Sequence, residues 1–328
     1  IISNFVHHHH LPPMPVPPSS LTLKAQFLIS AVFWLAFALS FHNPSGEICK
    51  SINEKQRCST ELEYFQEGQR QEAGMSSVTN LLIPNGDQNY ELSAVINEGN
   101  PSSRSLLIIS HGLLSTKESG TIRGLSERLS SINTCRFDFG GNGKSGGEFL
   151  YGGYEREISD MKAVISFLRE NGWDVKAILG HSKAGTCVLQ YGARYDDVDL
   201  IINLSGRYHL TAQAKGRFTE EQIQQLEQEG SFLWEAGGKQ YPVTQQDFEE
   251  RRQIDVSLVQ NIKRAKVLTI HGSEDATIPV ADAYEWGNLI ENHSLEVIEG
   301  ASHSFRPPGE LDAVAEAVAA FLRDQGFE

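Results

Sequence analysis

The chain has 328 residues, with 40% apolar and 9% aromatic residues and a formal net charge of -14. This length suits one large globular domain plus a tail. The acidic balance argues against nucleic acid or an anionic membrane surface as a partner, because most of the protein surface would be repelled by either. A neutral or cationic small substrate remains open.

Residues 1–74 lack the apolar periodicity of a core, and we expect them to form a disordered tail. The apolar run from Phe27 to Phe41 is shorter than the ~20 residues that a membrane-spanning helix needs, so no stable span is expected. Read from Met14, it resembles a signal peptide of a secreted or endomembrane protein. If translation starts at Met75 instead, the protein is expected to be cytoplasmic, and both readings stay open.

Residues 75–328 are expected to form the folded domain. Two strands, Val78–Ile83 and Tyr90–Ile96, flank Asn85-Gly86, a pair that predicts a tight hairpin because it tolerates positive φ. Apolar strands and amphipathic helices then alternate. This alternation predicts an α/β fold with a mostly parallel sheet covered by helices on both faces.

The helix predicted over Tyr154–Arg169 has its apolar residues on one face, and we place Glu157, Asp160 and Lys162 elsewhere on its surface. The preceding run Gly140–Gly147 lacks the spacing of a phosphate-binding loop and is interpreted as a structural loop. Further strands are predicted at Leu106–Ile109, Thr134–Phe139, Leu200–Leu204, Ala265–Ile270 and Leu295–Ile298. Further helices are predicted at Glu118–Leu129, Val280–Ile290 and Glu310–Leu322.

The pattern changes over about 207–260, which we interpret as an inserted cap, because insertions at the carboxyl ends of parallel strands tend to cover the ligand site. Thr219 and Thr244 are expected to cap helices, and a Gly-Gly turn predicts a hairpin. Its aromatic side chains are candidate walls of a substrate pocket or members of the cap's own small core. The substrate-binding candidates are Phe218, Trp234 and Tyr241.

Ser182 follows an apolar strand and precedes a helix, with Gly180 and Ala184 at the two positions where close strand and helix passage requires small residues. A serine hydroxyl needs an imidazole to accept its proton and a carboxylate to orient that imidazole. Asp275 and His303 each follow a later strand, in the chain order typical of this kind of site. We therefore expect Ser182 to be the nucleophile, His303 the base and Asp275 its partner.

The backbone amides of Leu113 and Lys183 are the expected oxyanion hole, and the charged side chain of Lys183 is expected to be solvated. Glu274 and Asp282 are alternatives to Asp275 as the acid, although the motif position favours Asp275. His111 and His181 are interpreted as loop-ordering residues and Asp138 as a loop brace. Cys135 and Cys187 are interpreted as small buried residues, and no spacing resembles a zinc site, so no metal is expected.

Several motifs together resemble the α/β-hydrolase superfamily, in particular small serine esterases of the plant type and the bacterial cinnamoyl-esterase type, with a serine aminopeptidase-like hydrolase domain. The motifs are His111-Gly112-Leu113, Arg136 to Ser145, Gly180 to Gly185, His271 to Pro279 and Gly300 to His303. Ala184 departs from the usual glycine. The resemblance implies hydrolysis of small-molecule acyl esters through an acyl-enzyme, without a metal or organic cofactor.

The fold does not select the substrate. An aminopeptidase, a monoacylglycerol lipase and a thioesterase would use the same three side chains. A non-catalytic ligand-binding protein on the same fold is the alternative from a different functional class.

Overall fold

The computed structural model describes residues 77–211 and 217–327. The predicted tail, the segment Phe27–Phe41 and Met75 lie outside these residues. The strands are β1 Ser77–Asn85, β2 Tyr90–Glu98, β3 Ser105–Ser110, β4 Asn133–Phe137, β5 Asp174–His181, β6 Leu200–Leu204, β7 Ser231–Ala236, β8 Lys239–Thr244, β9 Lys266–Gly272 and β10 His293–Ile298. The helices are α1 Gly120–Arg128, α2 Tyr154–Glu170, α3 Lys183–Tyr195, α4 Glu220–Glu229, α5 Gln245–Gln253, the 3-10 helix Val256–Asn261, α6 Ala281–Leu289 and α7 Glu310–Asp324.

Eight strands form the central sheet in the order β1-β2-β4-β3-β5-β6-β9-β10. The β1 and β2 strands pair antiparallel with each other, β2 is antiparallel to β4, and every pair from β4 to β10 is parallel. The central strands β3, β4 and β6 are buried along their whole length, as expected for strands covered on both faces. The predicted mostly parallel sheet is confirmed.

Two hydrophobic layers cover the sheet. One contains apolar residues of α2, α3 and α6, such as Met161, Val188 and Trp286, and the other contains residues of α1 and α7, such as Leu125 and Val318. Because each layer anchors the strands from one side, the loops at the carboxyl ends of the strands rest on a rigid base. Within the described part of the chain, no helix is long and apolar enough to cross a membrane.

The first hairpin differs from the predicted tight turn. Residues 86–89 form a four-residue loop, in which Gln88 N donates to Asn85 O at 3.1 Å, and the residue with positive φ is Asn89 (57°). The Asn85 side chain is buried and donates to Asp160 Oδ1 at 2.8 Å. Asn85 therefore ends β1 by anchoring it to α2 and is not a central turn residue.

The expectation that Glu157 and Asp160 lie on the exposed side of α2 is wrong. Both side chains are buried, at 6% and 0% exposure. Asp160 accepts hydrogen bonds from Tyr90 OH (2.7 Å) and Gly140 N (2.8 Å) in addition to that from Asn85. Burial raises the pKa of Asp160, and these hydrogen bonds partly oppose that effect. The carboxylate thus ties the first hairpin and the glycine-rich loop to α2.

Between β6 and β9 lie α4, the β7–β8 hairpin, α5 and the 3-10 helix. Thr219 and Thr244 form the capping boxes of α4 and α5, and Gly237 and Gly238 both have positive φ in the two-residue turn, as predicted. A separate hydrophobic cluster joins this segment to the loop before α2, and its buried members are Tyr151, Leu226, Phe232 and Val243.

Candidate active site

Ser182 lies at the sharp turn between β5 and α3. Its backbone has φ 58° and ψ -117°, a conformation that a residue with a side chain adopts at a cost of roughly 1–3 kcal/mol. Its amide donates to Leu204 O at 2.8 Å. A Cβ on Gly180 would lie 2.1 Å from Ala184 O, so only glycine allows the strand and the helix to pass this closely.

The structure explains the sequence departure at Ala184. Its side chain is fully buried without displacing the turn. Within α3, a methyl group has no room at Gly185, where a Cβ would lie 2.5 Å from Asn203 Oδ1 and 2.8 Å from Gly206 Cα. Glycine is therefore needed one residue later, where α3 passes the loop after β6.

His303 and Asp275 lie in the loops after β10 and β9 and meet Ser182 at the carboxyl edge of the sheet. His303 Nε2 is 3.0 Å from Ser182 Oγ, and His303 Nδ1 is 2.6 Å from Asp275 Oδ2. A carboxylate on Nδ1 keeps the proton on that nitrogen and leaves the Nε2 lone pair directed at the serine hydroxyl. The three residues singled out from the sequence are thus hydrogen-bonded in series.

Asp275 is held as a carboxylate by donors on both oxygens. Thr277 N and Ile278 N donate to Oδ1 at 2.8 Å each, and His271 Nε2 lies 3.3 Å from Oδ2. Burial alone would raise the pKa of Asp275, but the hydrogen bonds from His271 and His303 outweigh it and hold the pKa below its ordinary value. The group that orients His303 therefore stays ionised in weak acid.

His181, the last residue of β5, stabilises the loop that contains His303 by a hydrogen bond. Its Nε2 is 2.8 Å from His303 O, so this nitrogen carries the proton and donates to the carbonyl. Burial and the neighbouring His303 lower the pKa of His181 to about 4. A neutral His181 thus braces the loop, in agreement with the role expected from its motif position.

The loop that contains Leu113 packs directly against Ser182. A Cβ on Gly112 would be 2.9 Å from Ser182 Cβ, and the next residue after Leu113, Leu114, has φ 51°. His111 Nδ1 is 2.8 Å from Gly112 O and its Nε2 accepts from Phe139 N at 3.1 Å. The amide of Lys183, as the first residue of α3, has no partner within the helix. Leu113, Ser182 and Lys183 line the same cavity.

The Lys183 side chain is buried, and the expectation that it is solvated is wrong. Lys183 Nζ pairs with Glu157 Oε1 at 2.8 Å and lies 5.0 Å from the Tyr154 ring centre. Cys187, a free buried thiol, donates to the other Glu157 oxygen at 3.5 Å. The helical spacing could have revealed this pair, since Glu157 stands three residues after Tyr154 and four before Met161, on the buried face.

The other acidic candidates do other work. Asp282 accepts from Tyr208 N and His209 N at 2.8 and 3.3 Å, and Glu274 N donates to Ala301 O at 3.0 Å, while the carboxylate bonded to His303 is that of Asp275. Asp138 accepts from Lys117 N and Lys144 N at 2.7 and 2.9 Å, which is the bracing role expected for it. Within the described residues, no group of three or more His, Cys, Asp or Glu side chains could hold a metal ion.

A narrow cavity of about 30 Å³ opens beside Ser182. Its lining consists of Leu113, Tyr151, Tyr154, Ser182, Lys183, Arg207, Arg217, Arg251, Thr277 and Ile278. None of the three aromatic substrate-binding candidates is in this lining. Phe218 and Trp234 pack behind Tyr151, with ring centres 5.3 and 6.0 Å away, and Tyr241 packs on Phe149 at 4.8 Å.

Tyr151 and the three arginines of this lining were not predicted from the sequence. Tyr151 and Arg251 lie a hundred residues apart in the chain, and none of the four residues stands in a recognisable motif. The only available signal was position, because the three arginines all fall at about 207–260, the segment interpreted as a cap.

The comparisons with known proteins agree with this architecture. The family model described as "Serine aminopeptidase, S33" matches residues 101–230, which is less than half of the chain and includes Ser182 but neither Asp275 nor His303. Est1E from Butyrivibrio proteoclasticus, solved with ferulic acid, superposes with a TM-score of 0.63 at 22% identity, over 75% of this chain and 98% of that chain. The chain has the α/β-hydrolase fold.

Two other solved structures extend the same α/β-hydrolase likeness. The Pyrococcus furiosus esterase Pf2001 superposes with a TM-score of 0.58 at 20% identity, over 76% of this chain and 93% of that chain. The α/β-hydrolase GrgF from Penicillium sp. sh18 gives 0.63 at 15% identity, over 76% and 98%. No curated protein matches the sequence. The predicted resemblance to this superfamily is confirmed.

Proposed function

We propose that this α/β-hydrolase is a serine esterase that cleaves small or medium carboxylic esters through an acyl-enzyme. The observation that carries the proposal is the hydrogen-bonded series from Ser182 Oγ through His303 to Asp275, at 3.0 and 2.6 Å. The family model and the solved esterases support hydrolysis as the reaction class.

The reaction follows from this series. Ser182 Oγ attacks the ester carbonyl carbon while His303 Nε2 takes the hydroxyl proton, and Asp275 stabilises the imidazolium that forms. The tetrahedral intermediate collapses, the carbon–oxygen bond to the alcohol breaks, and His303 returns the proton to the departing alcohol. Water then attacks the acyl-enzyme by the same proton path and releases the carboxylic acid and free Ser182.

The oxyanion is assigned to two backbone amides. Lys183 N begins α3, so the partial positive charge at this helix end adds to its hydrogen bond. Leu113 N belongs to the loop packed on Ser182 through Gly112. Neither donor depends on a side chain, and the buried Lys183–Glu157 pair holds the start of α3 in position beneath the serine.

The cavity lining favours an esterase over an aminopeptidase. An aminopeptidase must bind the ammonium group of its substrate, for which a carboxylate is the usual partner. Within the described residues, no Asp or Glu lines the cavity, whereas three arginines and a lysine do. The three arginines all come from 207–260, which supports the proposal that this segment is a cap over the site.

The proposal predicts that substitution of the three residues abolishes ester cleavage. On p-nitrophenyl esters from acetate to octanoate, Ser182→Ala and His303→Ala are expected to lower kcat by about 10⁶-fold, and Asp275→Asn by about 10⁴-fold. Ser130→Ala, at an exposed loop serine, serves as the matched control and should remain near wild type. Turnover of Ser182→Ala at the wild-type rate would contradict the mechanism.

A further inference from the structure

The cavity beside Ser182 is lined by three arginines that lack acidic partners. We call Arg207, Arg217 and Arg251 the arginine cluster. Seven other arginines form ion pairs with carboxylates, but no member of the cluster does so within the described residues. Although the chain has a net charge of -14, no Asp or Glu among the described residues lines this cavity.

Two members of the cluster are almost completely buried. Arg207 is 7% exposed and Arg251 is 6% exposed. Burying a charged group without a counter-charge is costly. Burial lowers the pKa of the Arg207 guanidinium, and the positive charges of Arg251 and Arg217 lower it further, against opposing contributions from Tyr154 and Asp282. The cluster therefore concentrates positive charge where water is scarce.

Neutral acceptors hold the guanidinium groups in place. Arg207 Nη2 donates to Thr277 O at 2.7 Å, and Arg251 donates to Tyr151 OH at 2.6 Å and Leu210 O at 2.9 Å. Arg217 Nη1 reaches the same Tyr151 oxygen at 3.4 Å. Each guanidinium has five donor hydrogens, so each retains donors that have no acceptor among the described residues.

The neighbouring charges do not neutralise the cluster. Lys183 and Glu157 pair with each other at 2.8 Å. The carboxylate of Asp282 accepts hydrogen bonds from the amides of Tyr208 and His209 and favours the charged form of Arg207, but it is one negative charge against three guanidinium groups. The net charge presented to the cavity is therefore positive.

We propose that the arginine cluster binds a carboxylate carried by the substrate, so that the enzyme hydrolyses small esters with a second, ionised carboxyl group. This inference rests on the proposed esterase function. A planar guanidinium matches a carboxylate with two parallel hydrogen bonds, and such a ligand supplies the missing counter-charge. Because the cluster and Ser182 line one narrow cavity, the carboxylate lies only a few bonds from the ester. This anionic substrate differs from the neutral or cationic substrate considered from the net charge of the whole chain.

The carboxylate could lie on the acyl part or on the alcohol part of the ester, and two pairs of substrates distinguish these. The acyl pair is monomethyl glutarate and the methyl ester of glutaramic acid. The alcohol pair is the butyryl ester of glycolic acid and that of glycolamide. Within each pair the shape is kept, because an amide replaces a carboxylate, and the substitution removes the negative charge and one acceptor oxygen. Product release by chromatography gives kcat/KM for each ester.

The wild-type protein is expected to prefer the charged ester by about tenfold or more in at least one pair, as hydrogen bonds to charged groups permit. Arg217→Met and Arg251→Met should each lower this charged-to-neutral ratio of kcat/KM by about tenfold. Arg251→Lys should lower it by less, because lysine keeps the positive charge but cannot donate the two parallel hydrogen bonds of a guanidinium. Arg252→Met removes a neighbouring arginine that pairs with Glu249 at the surface, and it should leave the ratio unchanged.

Binding to the Ser182→Ala protein, measured by calorimetry, tests the cluster without turnover. Tighter binding of a charged ester than of its amide, weakened by Arg251→Met, supports the inference. Equal kcat/KM and equal binding within both pairs would overturn it, even if wild type cleaves esters and the proposed function stands. If the arginines instead stabilised the oxyanion, the variants would slow both members of a pair equally, which also overturns the inference. If inorganic phosphate inhibited the enzyme but kcat/KM did not differ between the charged and the neutral ester of either pair, the inference would be overturned as well.

Discussion

At the scale of single residues, the site joins groups whose protonation states differ because their surroundings differ. Asp275 accepts hydrogen bonds from several donors and stays ionised, whereas His181, a few ångströms from the same loop, is buried with a pKa of about 4 and stays neutral. Neither His181 nor His111, whose pKa burial also lowers, can be protonated without cost to the fold. This has a measurable consequence for stability.

The pH dependence of stability follows from His181. Its ordinary pKa is 6.5 and its pKa in the fold is about 4, so between these values the unfolded chain binds a proton that the folded chain does not. The free energy of unfolding must therefore fall as the pH is lowered from 6.5 to 4, by up to ~1.4 kcal/mol per pH unit from this residue.

Urea denaturation at several pH values measures this contribution. His181→Gln retains an amide that can donate to His303 O but does not titrate, so its free energy of unfolding should fall less steeply over this pH range. His209→Gln, at an exposed histidine, should fall as steeply as wild type. Parallel curves for wild type and His181→Gln would show that His181 does not supply the proton linkage.

The residues of the proposed catalytic series could be chosen from sequence because each stands in a short motif after an apolar strand. The burial of Lys183 and Glu157 was not predicted, because a charged side chain was expected to face water. In the structure the two side chains form an ion pair between α3 and α2, and this pairing compensates their charges in the protein interior. The arginine cluster could not be predicted from the sequence, because its members come together only in the tertiary fold.

At the scale of elements, the turn between β5 and α3 depends on the close passage of a strand and a helix. Gly180 and Gly185 leave no space for a methyl group, and the nearest atoms include backbone atoms that cannot rotate away. The strained φ of Ser182 is tolerated because the packed strand and helix on both sides hold it.

Gly180→Ala tests this close passage. The new methyl group would meet Ala184 O, so we expect a loss in the free energy of unfolding at or beyond the upper end of ~1–3 kcal/mol typical of overpacking. Gly86→Ala is the matched control, because a Cβ there has no atom within 4 Å, and it should change stability by less than about 0.5 kcal/mol. Equal midpoints of urea denaturation for the two variants would contradict the proposed packing constraint.

Most elements could be predicted because apolar runs and helical periodicity are local signals. In the 207–260 segment, the two-glycine turn of the hairpin and the threonines that cap two helices were also recognisable from the sequence. The first hairpin was not, since the loop at residues 86–89 depends on a distant contact. Asn85 is drawn to Asp160 of α2, which extends β1 to Asn85 and moves the positive φ to Asn89. The turn was therefore decided by tertiary packing and not by its own sequence.

At the scale of the whole molecule, a rigid parallel sheet brings residues more than a hundred positions apart to one edge. Ser182, Asp275 and His303 lie on loops that extend from three strands of that sheet, and the segment between β6 and β9 adds positive charge to the same cavity. The fold was predictable from the alternation of elements. The lining was not, because cavity shape depends on how the 207–260 segment packs against the sheet.

The most direct test of the account is the site of reaction with a fluorophosphonate, which forms a stable adduct with an activated serine. The intact protein would be treated, digested and analysed by mass spectrometry, with circular dichroism confirming that each variant is folded. We predict one adduct, on the peptide that contains Ser182, in wild type and Ser130→Ala, and none in Ser182→Ala. A folded wild-type protein without an adduct, or an unchanged adduct in Ser182→Ala, would contradict the assignment of Ser182 as the nucleophile.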